Sequence, residues 1–138
     1  MEIKISSDSL NLKFYNNVCS FPDLCPECPA FYGNRSACHM MLSQFTQALS
    51  DAKCSVELDS TFVKGYVRVS KCCVALGDAI SAQQAIDKAL QIEPNNAAAL
   101  QEKSSIQQLV TYLADYNQAY QAKDYRKVNL LVKFMIRL

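Results

Sequence analysis

The 138-residue chain is poor in glycine (3) and proline (4), has a single histidine, and carries almost no charge excess, with Lys+Arg 14 against Asp+Glu 13. Scarce glycine argues against a turn-rich sheet protein and against phosphate-cradling loops, both of which need positive-φ positions. Balanced charge removes the basic footprint of a nucleic-acid binder, so no nucleic-acid partner is expected. No stretch approaches 18 uncharged apolar residues, and the start, with Glu2 and Asp8, lacks the continuous apolar segment of an export signal. The expectation is a soluble protein of the cytoplasm or nucleus with no membrane contact. His39, between Cys38 and Met40, reads as a packing residue rather than a general base. There is no Gly-x-Ser-x-Gly, no phosphate loop and no pair of metal ligands at helical spacing. No catalytic residue and no cofactor is expected. What is present, 50% hydrophobic and 20% charged residues, suits a packed globular domain, and few turns imply long helices.

Seven cysteines are too few for a disulfide scaffold, and the count is odd, which favours a reducing compartment. Cys25-Pro-Glu-Cys28 is the one tight pair. With Cys19 and Cys38 it forms a candidate zinc set, although structural zinc usually takes two close pairs and the second is missing. A redox reading needs a strand before the pair, which Phe21-Pro22-Asp23-Leu24 does not supply. Buried, inert thiols are the plainer reading of all seven.

An offset of 34 residues aligns Tyr32 with Tyr66, Ser36 with Ser70, Cys38 with Cys72, Leu42 with Leu76, Ala48 with Ala82 and Leu58 with Ile92. Each unit, 29–62 and 63–96, divides into two amphipathic stretches with a break at Ser43-Gln44 or Gly77-Asp78, where Gly77 suits a left-handed helix end. Small residues stand where helices must approach closely, at Ser36, Ala48, Ala52, Ser70, Ala82 and Ala89, and Pro94 punctuates the second unit. A third match appears after 12 extra residues: Tyr112, Tyr116, Ala122, Tyr125 and Val128 lie 46 beyond Tyr66, Ser70, Leu76, Ala79 and Ala82. The spacer 97–108 has no glycine or proline, which predicts one helix over about 97–122 and a final helix within 97–138. Residues 1–28 stand apart as a non-matching segment or the remnant of a preceding unit.

This pattern resembles the tetratricopeptide-repeat family, with Tyr66, Gly77, Ala82, Ala89 and Pro94 in family positions. The runs Phe31-Tyr32-Gly33-Asn34-Arg35-Ser36 and Phe62-Val63-Lys64-Gly65-Tyr66, with Lys123-Asp124-Tyr125-Arg126-Lys127-Val128 and the insertion, resemble the repeat region of DnaJ-related cochaperones over about residues 24–138. Residues 1–23 do not match, and Pro22 would break a helix there. The resemblance implies an all-α, right-handed superhelix of helical hairpins whose first helices line a concave face. It also implies a non-catalytic adaptor whose clamp, at Asn34, Lys64 and Arg68, holds the acidic C-terminal peptides of 70-kDa and 90-kDa heat-shock chaperones. Asn34 and Arg68 are 34 residues apart, and Lys64 lies one turn before Arg68. An amide, an ammonium and a planar guanidinium suit paired carboxylates. The family's further Lys and Asn, from a preceding hairpin, have no matching positions, so weak binding is expected. The alternative is a structural module in which these residues are relics. No His-Pro-Asp of a J domain is present. Phe31, Tyr32 and Tyr66 fit either a peptide groove or, at repeat positions, the interhelix core.

Val128, Leu131, Val132, Met135 and Leu138 form one apolar stripe, and Leu130, Phe134 and Ile136 continue around the same helix. A solenoid ordinarily ends in a polar cap. This end reads as an interior hairpin whose next repeat is missing, and self-association through residues 124–138 is expected.

Overall fold

The computed structural model describes residues 26–136, which form six helices and, among the described residues, no strand. They are α1 (Pro29–Met41), α2 (Phe45–Leu58), α3 (Val63–Ala75), α4 (Ala79–Ile92), α5 (Ala97–Gln121) and α6 (Tyr125–Ile136). Successive helices pair as hairpins and each hairpin packs on the next, while α1, α3 and α5 also touch in a row. The result is an all-α solenoid of stacked helical hairpins.

The three intra-hairpin turns share one backbone device. Ser43 (φ 57), Gly77 (φ 82) and Lys123 (φ 57) all adopt the left-handed conformation, at the 34- and 46-residue offsets of the sequence. Beside each, the residue after it bonds back to the helix, Gln44 N–H to His39, Asp78 N–H to Cys73 and Asp124 N–H to Ala119, at 2.9, 2.8 and 3.0 Å. These bonds close helix ends in the Schellman manner, satisfying carbonyls that have no partner within the helix. Glycine adopts this geometry without strain, and Ser43 and Lys123 do so at a cost of about 1–2 kcal/mol. At the other ends, Pro29 occupies the first turn of α1, and the Asp78 and Asn96 side chains accept from Ser81 and Ala99 N–H.

Small residues let the hairpins close. Ser36, Ala48, Ala52, Ser70, Ala82 and Ala89 are all fully buried. The Ser36 hydroxyl donates to the Ala48 carbonyl at 2.6 Å, tying α1 to α2, whereas the equivalent Ser70 hydroxyl is buried without a partner. Asp51 anchors the first hairpin: Arg35 donates to both its oxygens at 2.7 and 2.6 Å, while lying over the Phe31 and Tyr32 rings. His39 closes the same cluster, its Nδ1 2.8 Å from Gln44 Oε1 and its Nε2 3.5 Å from Asp51.

Two apolar cores lie along α5. Ala99 and Ile106 join the main core of Val63, Val67, Val69, Ala82, Ile86 and their neighbours. Farther on, Ala119 packs with Val128 and Leu131 between Tyr112 and Tyr116. At 25 residues against 13 in α1 and in α3, α5 carries α6 along its axis, and α4 and α6 do not touch. Of the terminal apolar stripe, Val128 and Leu131 are buried, Val132 is exposed, and Leu138 lies outside the described residues. No described helix is long and apolar enough to cross a membrane.

Candidate functional site

The row of α1, α3 and the start of α5 encloses a groove of about 410 Å³. Its apolar wall comes from Ala37, Met40 and Met41 of α1, Val63 and Val67 of α3, and Ala98 of α5. Its polar wall is one stripe of α3: Lys64, Arg68 and Lys71, at spacings of four and three, project from a single helical face. Asn96, the N-cap of α5, closes the far end; its amide NH₂ donates to Glu93 at 2.8 Å.

Arg68 is the unusual member. Its Nη1 is buried and has no hydrogen-bond partner. Burial lowers its affinity for the proton and the neighbouring Cys38 opposes that shift, yet a guanidinium stays charged at neutral pH. The side chain fits because residue 33 is glycine: a Cβ there would sit 2.7 Å from Nη1 and 2.9 Å from the Phe62 ring. A buried donor without a partner costs about 1–3 kcal/mol.

The predicted residues divide as follows. Lys64 and Arg68 meet in the groove; Lys64 is exposed and Arg68 half-buried. Asn34 is exposed beside Gly33, one turn before Ala37, and does not line this cavity. Sequence reasoning missed Lys71, although its seven-residue spacing from Lys64 marks the same face. It also missed Asn96, a helix-capping asparagine, and the two methionines. Near Lys71 lies half-buried Glu102, whose pKa burial raises while the Lys71 charge opposes the rise. Tyr66 packs on the main core with its hydroxyl donating to the Ser60 carbonyl at 3.0 Å, whereas Tyr32 is half-buried in the Phe31–Arg35 cluster.

Of the zinc candidates, Cys28 and Cys38 are half-buried, and Cys19 and Cys25 lie outside the described residues. Among the described residues no three ligating side chains cluster. Cys72 is buried, and burial pushes its thiol up to about 11, far from nucleophilic at neutral pH. A larger cavity of about 680 Å³ opens between Ile80 on α4 and Val110 on α5, but no ionisable side chain lines it.

No family model matches the chain. It is 39% identical over 114 residues to human DnaJ homolog subfamily C member 7, covering 83% of this chain and 23% of that protein's length. It is 40% identical over 73 residues to the Hsp70-Hsp90 organizing protein of Triticum aestivum, covering 53% of this chain and 13% of that protein. Among solved structures, the first TPR of Spaghetti (RPAP3) bound to HSP90 peptide SRMEEVD superposes with a TM-score of 0.70 at 26% identity, covering 75% of this chain and 85% of that one.

Proposed function

The chain is a tetratricopeptide-repeat protein, and from that premise we propose that it is a non-catalytic docking module for the acidic C-terminal tails of 70-kDa and 90-kDa heat-shock chaperones, working in the cytoplasm. Lys64 and Arg68, which meet in the groove, would hold the terminal carboxylate and the last acidic side chain. The observation that carries this reading is the buried, partnerless Nη1 of Arg68 beside a groove whose ionisable side chains are all cations. The similarity to a repeat domain bound to SRMEEVD, and to an Hsp70-Hsp90 organizing protein, supports the same ligand chemistry.

Two charge-assisted hydrogen bonds, from Lys64 and Arg68, contribute about 1.5–3 kcal/mol each before the cost of ordering a flexible tail. The net falls short of the roughly 8 kcal/mol that micromolar binding needs. Titration calorimetry with a peptide ending Glu-Glu-Val-Asp tests this. The free acid should bind with a dissociation constant above about 1 μM, bind more weakly as salt is raised, and lose affinity when its C-terminus is amidated. Equal affinity for acid and amide would overturn the clamp.

A further inference from the structure

The groove continues past the clamp, and Lys71 stands at that end. Lys64 and Lys71 share one face of α3 and are seven residues apart, about 10 Å along the helix axis. A peptide without hydrogen bonds of its own favours the polyproline conformation, advancing about 9 Å per three-residue turn and returning its side chain to the same side. A tail whose last residue meets Lys64 and which runs along α3 therefore brings the side chain three residues upstream to Lys71. The wall opposite is apolar and deformable, with Met40 and Met41 suited to an uncharged side chain between the two acids.

We propose that Lys71 is a second anion subsite, so that the groove selects tails with an acidic side chain three residues before an acidic C-terminus. This rests on the docking reading above and adds a register to it. Removing the Lys71 charge should erase the preference. A merely structural role for Lys71 would weaken the binding of both peptides alike.

The test uses the whole chain, SRMEEVD and SRMQEVD, each as acid and amide, with affinity read by fluorescence anisotropy. The unmodified chain should prefer the glutamate peptide by about fivefold. Lys71→Gln should bind the two acids equally. Equal binding of SRMEEVD and SRMQEVD to the unmodified chain, or a preference that survives Lys71→Gln, overturns the subsite. If amidation alone abolishes binding while no preference for glutamate exists, the clamp stands and the subsite falls. If amidation changes nothing, or SRMEEVD does not bind, both readings fall.

Discussion

Gly33 and Arg68 make one unit at the scale of single residues. The guanidinium reaches its buried position only because no Cβ occupies the space 2.7 Å from Nη1. Gly33→Ala therefore sets two effects against each other. Alanine favours the helix by about 0.5–1 kcal/mol, and crowding against the flexible end of Arg68 and the Phe62 ring works the other way. The expected outcome is a thermal midpoint changed by only a few degrees together with a loss of peptide affinity of about tenfold, as the guanidinium is displaced. Unchanged affinity by calorimetry would show that Arg68 need not occupy its buried position to bind. This dependence was not legible in the sequence, where Gly33 is one more residue of a repeat helix. Lys64 and Arg68 were legible because repeat spacing and helical spacing both report on a shared face. Asn34 shares the repeat register of Arg68 yet is exposed and does not line the groove, since register gives a place on the helix and not the direction in which a side chain is used.

Gly65 lets α2 and α3 approach closely. A Cβ on Gly65 would lie 2.6 Å from Ser55 Oγ, 2.6 Å from Val56 Cγ1 and 3.0 Å from the Phe62 ring. Ser55 is fully buried and its hydroxyl donates to the Ala52 carbonyl at 2.7 Å, so the contact has little room to relax. Gly65→Ala should destabilise the fold by about 1–3 kcal/mol from overpacking, less the helix-propensity gain. Urea unfolding monitored by circular dichroism should show a lower midpoint at unchanged slope, and a midpoint at or above the parent's would overturn the packing account. Helix number and the long α5 were readable from periodicity and from the absence of glycine and proline between 97 and 108. The left-handed turns at Ser43 and Lys123 were not, because only Gly77 of the three equivalent positions carries the residue type that announces positive φ.

The whole molecule is organised by α5, which belongs to one core at Ala99 and Ile106 and to another at Ala119. The second core is small and leaves α6 unbalanced. Val128 and Leu131 are buried, but Leu130 is 55%, Phe134 48% and Ile136 79% exposed. A cavity of about 370 Å³ lies beside them between Leu113, Tyr116, Val132 and Ile136. Exposed apolar surface of this kind marks an interaction site or an association liability. The apolar stripe was legible in the sequence; which of its members α5 would cover was not, since that depends on how α6 docks. Charge determines how association through this face should respond to salt. Tyr125–Ile136 carries Arg126, Lys127 and Lys133 and no acid, so two copies meeting through α6 bring like charges together. Raising salt screens that repulsion and leaves the apolar attraction intact. Self-association should therefore strengthen with salt, the reverse of the dependence expected for peptide binding to Lys64 and Arg68. Sedimentation velocity over a range of concentrations at low and high salt should show a monomer shifting toward dimer as salt rises. Phe134→Glu should hold the chain monomeric without changing peptide affinity. A monomer under all these conditions would remove self-association as a property of this face, and a dimer that weakens with salt would place the contact elsewhere.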